Sequence, residues 1–178
     1  MTTTDPAAPA PAPAEMTARR RFWLSAALLA VALFETVDGL SNVGTLFGDM
    51  SEIPGPGFGG FLIKLYLATH PIFAIAALIF AAFGRVRFAV MALIGVIIGR
   101  WLWIMPSVAM QGLEMTNFNS AQNSVALVIA PPLLAACALA LTIRNERLGF
   151  ATLLVCLPSL YMIVSVFAFA IGVAIYGF

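Results

Sequence analysis

The chain has 178 residues, of which 62% are hydrophobic and 10% are charged, and its mean hydropathy is +1.01. Soluble globular chains are about half apolar and about a quarter charged, so this composition excludes a soluble domain. The formal net charge is +1, and no basic run interleaved with aromatic residues indicates nucleic-acid binding. With one histidine, and with Cys137 and Cys156 both inside apolar runs, no zinc or iron–sulfur ligand spacing is present.

Long apolar runs follow an N-terminal segment of different composition. Residues 1–18 are rich in alanine and proline, which predicts a disordered tail. Residues 19–178 form a predicted transmembrane domain, because each apolar run approaches the roughly 20 residues of a membrane-spanning helix. The alternating pattern of an outer-membrane barrel is missing. The sequence therefore predicts an all-α integral membrane protein, a five-helix bundle with spans at about 22–42, 61–83, 88–106, 125–143 and 150–176.

Prolines lie in four of the predicted spans, beginning with Pro71 in span 2. Span 3 is predicted to end at Pro106, and Pro158 is expected to bend span 5. Pro131 and Pro132 interrupt span 4. They indicate either a kink that helps packing or a broken helix with exposed carbonyls, as in many transporters. Prolines are tolerated in membrane helices when neighbouring groups satisfy the freed carbonyls, so the sequence leaves both interpretations open.

Basic residues are distributed unevenly between the two sides of the predicted bundle. Seven of the nine Lys and Arg residues lie before span 1 or in the turns after spans 2 and 4, and the loops after spans 1 and 3 have none. The positive-inside rule therefore predicts a cytoplasmic N-terminus and a C-terminus on the opposite side. The alanine-rich, lysine-poor composition suggests a bacterial inner (plasma) membrane.

Span 1 contains two acids well inside its apolar run. Glu35 and Asp38 are three residues apart, so they share one helical face. A carboxylate in hydrocarbon is costly and normally faces protein or a water-filled cavity. Other spans are therefore expected to supply partners for this face.

The candidate partners lie at a similar predicted depth, roughly 17–20 Å from the basic ends of their spans. Tyr66 and His70 are four residues apart and share a face of span 2. The candidate ligand- or ion-binding residues are Glu35, Asp38, His70, Arg100, Tyr66 and Tyr161.

Several roles fit such a cluster. Arg100 could simply neutralise an acid and pin the helices together. Arginine, histidine and tyrosine are also good donors to the carbonyl oxygens of a quinone-like headgroup. Two acids against one arginine favour a site that holds a proton or a cation. No ligand spacing supports a metal or a haem, and no nucleophile is placed beside His70.

The leading hypothesis is a non-enzymatic accessory or ligand-binding subunit with a polar pocket in the outer half of the bilayer. The first alternative is a small proton- or cation-coupled carrier, and the second is a membrane enzyme that acts on a lipid-soluble substrate. Expected partners are the lipid bilayer, other membrane subunits or a second copy of the chain, and a quinone-like or other lipid-soluble ligand. The sequence identifies no cofactor.

Overall fold

The structure, a computed structural model, describes residues 18–47, 57–113 and 118–177, without the side chains of Phe58 and residues 118–123. All regular structure in these ranges is helical. The helices are α1 (Ala18–Val43), α2 (Phe58–Ala82), α3 (Val86–Gln111), α4 (Phe118–Ile143) and α5 (Leu148–Tyr176), and a short 3-10 helix (Gly44–Phe47) follows α1. The predicted tail lies outside the described residues apart from Ala18.

Each of the five long helices is long and apolar enough to cross a membrane. This confirms the predicted all-α, five-span architecture of a multi-pass membrane protein. Their surfaces also fit a lipid environment, since large apolar side chains such as Leu133, Phe167 and Ile175 are more than half exposed. In lipid, only backbone that is paired within the structure is tolerated, and a helix pairs its own backbone.

The bundle has a three-helix centre. Helices α1, α3 and α5 contact one another, α2 packs between α1 and α3, and α4 packs between α3 and α5. The buried core consists mainly of small and branched side chains, among them Ala74, Ala77, Ala89 and Val90. Small side chains let helix backbones approach closely, as is usual where membrane helices pack.

Two short turns join helices at the arginine-rich end of the bundle, and both are Schellman motifs. After α2, Arg85 N–H donates to Phe80 O and Gly84 N–H to Ala81 O, with Gly84 at φ 66°. After α4, Glu146 and Asn145 make the equivalent bonds, with Asn145 at φ 55°. Glycine and asparagine are the residues that best adopt this left-handed conformation at a helix end.

Arginines hold these turns together. Arg21 Nε of α1 donates to Gly84 O at 3.0 Å, and an Arg87 nitrogen of α3 lies 3.5 Å from Ile143 O at the end of α4. A positive charge near the C-terminus of a helix is also favoured by the helix dipole. The basic segments that are separate in the sequence therefore meet at one end of the bundle.

Prolines do not end or break the helices. Helix α3 continues through Pro106 to Gln111, five residues past the predicted end of span 3, and α4 begins at Phe118, seven residues before the predicted start of span 4. Pro106 is buried and packs against α2, where a Cβ at Gly59 would lie 3.2 Å from the Pro106 Cβ. The close fit to a neighbouring helix explains why this proline lies inside α3.

Helix α4 is also continuous through Pro131 and Pro132, which favours the packing interpretation of this pair. Pro132 has no N–H, so the Val128 carbonyl four residues earlier lacks its helical donor. Trp101 Nε1 of α3 donates to this carbonyl at 2.8 Å. The indole thereby satisfies the group that the proline leaves free and links α3 to α4.

Another close contact joins α1 to α2, and here it involves the backbone. A Cβ at Gly39 would lie 3.1 Å from Pro71 Cα and 3.2 Å from Pro71 N. Backbone atoms cannot move aside as a flexible side chain can. Gly39 therefore sets how closely α1 and α2 pack near the buried acids.

We expect Gly39→Val to destabilise the bundle by about 1–3 kcal/mol, the usual effect of overpacking. Thermal unfolding in detergent measures this as a lower midpoint. The matched control is Gly172→Val, because a Cβ at Gly172 in α5 meets nothing within 4 Å. Equal midpoints for the two variants would contradict the proposed contact.

Candidate functional site

Glu35 lies at the centre of a buried polar cluster that joins four helices. Its side chain is fully buried, and three donors reach its carboxylate. His70 Nε2 of α2 and Arg100 Nη2 of α3 contact Oε2 at 2.9 and 2.8 Å, and Ser159 Oγ of α5 donates to Oε1 at 2.6 Å. A carboxylate that is removed from water needs such partners. The donors therefore explain how Glu35 can lie inside the bundle.

Asp38 lies one turn along α1 at the more open edge of the cluster. Arg100 Nη2 donates to Asp38 Oδ2 at 3.0 Å, so one guanidinium bridges both acids. The side chain of Asp38 is 36% exposed and that of Arg100 is 20% exposed. Asn42 donates to the Asp38 backbone carbonyl at 2.8 Å. This edge is the part of the cluster that a molecule outside the bundle can reach.

Three stacked rings extend from the buried imidazole toward the surface. Tyr66 stacks on His70 with ring centroids 4.9 Å apart and on Trp103 with centroids 5.0 Å apart. Tyr66 is buried, whereas Trp103 is 41% exposed. Gly99 leaves room for this stack, since a Cβ there would lie 3.3 Å from the Tyr66 ring. The Tyr66 side chain also interacts with the Arg100 guanidinium.

The second ring nitrogen of His70 is buried without a partner. Nδ1 is one of two buried side-chain polar atoms in the described residues that make no hydrogen bond, the other being Ser25 Oγ. The cluster sets two acids against one arginine, so acidic groups outnumber permanent cations in it.

The structure brings together five of the six residues that the sequence singled out: Glu35, Asp38, Tyr66, His70 and Arg100. Tyr161 is not part of the cluster, because it is 71% exposed on the outer face of α5. Successive helical residues turn by about 100°. Since Ser159 faces Glu35, a residue two positions later points away from it.

Sequence reasoning missed Ser159, Trp103 and Asn42. Ser159 follows Pro158 in an otherwise apolar stretch. A polar residue at the depth of the cluster was the signal that could have identified it. Neither Trp103 nor Asn42 carried a comparable signal, since tryptophan and asparagine near the end of a span are common at the membrane surface. Their roles depend on contacts with Tyr66 and Asp38.

Glu35, Asp38 and His70 each offer an atom within 4.8 Å of the others, as a metal site would require. However, the positive Arg100 guanidinium already bridges the two carboxylates. A divalent cation at the same position would be repelled by it. The geometry therefore favours an ion-pair network over a metal centre.

The Ser159, Glu35 and His70 side chains do not form a catalytic triad. In a triad the imidazole contacts the serine hydroxyl and removes its proton. Here the hydroxyl and the imidazole both contact the carboxylate instead, and Ser159 is buried. This arrangement orients the carboxylate and does not activate a nucleophile.

Comparisons with protein-family models, curated proteins and solved structures found no match for this chain. Interpretation of the site therefore depends on its own geometry.

We expect Glu35→Gln to destabilise the protein by about 3–5 kcal/mol, because removing one member of a buried ion pair leaves its partners uncompensated. Asp38→Asn should cost less free energy of unfolding, since Asp38 is 36% exposed whereas Glu35 is fully buried and has three donors. Both substitutions preserve side-chain shape, and unfolding in detergent compares them. Similar losses in the two variants would show that burial does not distinguish the two acids.

Proposed function

We propose that this protein is a non-enzymatic membrane subunit that binds the polar headgroup of a lipid-soluble molecule at the Asp38–Arg100 edge of the cluster. The observation that carries the proposal is the unequal exposure of the network. Glu35 is fully buried and held by three donors, whereas Arg100 and Asp38 are partly exposed. The buried part holds the guanidinium in position, and the exposed part is available to a ligand.

A headgroup with carbonyl oxygens suits this edge best. The two contacts between Arg100 and the carboxylates use a single nitrogen, Nη2, and Tyr66 also interacts with the guanidinium. A guanidinium carries five N–H donors, so these contacts leave donors for a ligand. Trp103 lies nearby on the half-exposed end of the ring stack and offers a flat apolar surface. Donors beside an aromatic face are suited to a quinone-like ring, which accepts hydrogen bonds and stacks.

The proposed orientation in the membrane follows from the charges. The arginine-rich end of the bundle faces the cytoplasm of a bacterial cell, in agreement with the positive-inside rule. The cluster then lies in the outer half of the inner membrane.

Reporter fusions test this orientation. We expect alkaline phosphatase fused after Phe178 to be active, because this enzyme folds only where disulfides form outside the cytoplasm. A fusion in the turn at Asn145 should be inactive and serves as the matched control. The reverse pattern would contradict the orientation.

A proton-coupled carrier is the second candidate function. Its support is the excess of acids over arginine in the cluster together with the unpartnered Nδ1 of His70, because ionisable residues inside a membrane protein mark proton and ion pathways. Vesicles that contain the protein should then show solute flux driven by a pH gradient. Equal flux in empty vesicles would remove this candidate. Enzymatic activity has less support, since no activated nucleophile is present among the described residues.

Native mass spectrometry of the protein, extracted gently from its own membrane, tests ligand binding. We expect the wild type to retain a small molecule, and we expect Arg100→Lys to lose at least about tenfold in occupancy. Lysine keeps the charge but lacks the planar, multiple donors of arginine. Loss of a single charge-assisted hydrogen bond, about 1.5–3 kcal/mol, is enough for this change.

The control for this experiment is Tyr161→Phe, which alters an exposed residue outside the cluster and should leave the ligand bound. Copurification of other subunits with the wild type would add an accessory role. A wild type that carries neither ligand nor subunit, or a ligand retained equally by all variants, would contradict the proposal and leave the cluster as a structural ion pair.

A further inference from the structure

A second site lies at the arginine-rich end of the bundle, away from the polar cluster. Ile79, Phe80, Phe83 and Arg85 line a cleft of about 470 Å³. The three apolar residues belong to the last turn and the C-terminal cap of α2, and Arg85 follows in the turn to α3. The cleft therefore has an apolar wall that continues into one positive charge.

The Schellman motif fixes this arrangement. Arg85 N–H donates to Phe80 O, so the arginine backbone is anchored directly to one of the residues that line the cleft. Phe83 N–H donates to Ile79 O within the same turn. Phe80 is further held by Phe88 of α3, with ring centroids 5.4 Å apart. The turn therefore fixes the backbone of Arg85 relative to the apolar wall.

Positive charge at this end greatly exceeds negative charge. The seven arginines are Arg19, Arg20, Arg21, Arg85, Arg87, Arg144 and Arg147, and Glu146 is the only acid in the described part of this end. An excess of positive charge of this size attracts anions at a membrane surface.

Arg85 is one of several exposed arginines at this end without a side-chain hydrogen bond among the described residues, and it is the one that lines the cleft. Arg21 and Arg87 are directed at backbone carbonyls of helix ends, and Arg20 packs beside Gly149. The exposed guanidinium of Arg85 has no acceptor among the described residues, while the adjacent Phe83 side chain is 75% exposed. An exposed cation beside an exposed apolar wall, at the end of a membrane-spanning helix, matches an amphiphile with a negative headgroup.

We propose that this cleft binds an acidic phospholipid. The phosphate group lies at Arg85, and an acyl chain lies along Ile79, Phe80 and Phe83. A zwitterionic lipid fits less well, because its own cation would face the excess of arginine. None of the cleft residues contacts the cluster around Glu35, so this proposal stands or falls independently of the proposed ligand there.

The full-length protein in nanodiscs of equimolar phosphatidylcholine and phosphatidylglycerol tests the proposal. After release from the discs, native mass spectrometry counts the lipids that remain bound. We expect the wild type to retain phosphatidylglycerol preferentially, and we expect Arg85→Gln to reduce this retention at least about tenfold, as expected when a charge-assisted hydrogen bond to the phosphate is lost.

The matched control is Arg144→Gln, which removes the same charge from the same end but lies outside the cleft. It should leave retention within twofold of the wild type. Equal losses in the two variants would overturn the proposal, because they would show attraction by diffuse charge alone. Equal retention of the two lipids by the wild type would overturn it as well.

A third variant tests the apolar wall without changing the charge. We expect Phe83→Ala to reduce phosphatidylglycerol retention too, since the acyl chain loses its contact. This residue is mostly exposed, so the variant should unfold at the temperature of the wild type. The proposal of a bound lipid would be overturned by unchanged retention in Phe83→Ala, or by complete displacement of the lipid by inorganic phosphate. Arg85 would then contact only a phosphate group.

Discussion

The burial of the Glu35 carboxylate is the constraint on which the rest of the bundle depends. A carboxylate inside a membrane is tolerated only when other groups replace its water. Here the replacements come from three other helices, as His70, Arg100 and Ser159. Helices α1, α2, α3 and α5 must therefore hold one rotation and one depth relative to each other. The cluster specifies the arrangement of the bundle more strictly than apolar packing would, since lipid is as apolar as the helices themselves.

Close backbone contacts complete this arrangement. Gly39 lies against Pro71 and Gly59 against Pro106, so the prolines of α2 and α3 face positions without a side chain. Helix α4 contributes no charge to the cluster, yet Trp101 binds the carbonyl that Pro132 leaves without a donor. Pro71, Pro106 and Pro132 thus mark contact points between helices.

The two candidate sites occupy opposite regions of the bundle and use different chemistry. At the cluster, two acids orient a single guanidinium at a partly exposed edge. At the arginine-rich end, Arg21 and Arg87 contact helix ends, and Arg85 lies beside an apolar wall. The ligands proposed for the two sites are both lipid-soluble.

The sequence by itself determined the five spans, because the hydropathy of a run of about 20 residues is a local property. It also determined that Glu35 and Asp38 require partners, and equal depth pointed to His70 and Arg100. Only the tertiary structure decided that Ser159 and not Tyr161 completes the cluster, because this choice depends on the rotation of α5 about its axis. It also decided that α3 and α4 continue through their prolines, since the packing against Gly59 and the donor at Trp101 come from other helices and leave no local pattern in the sequence.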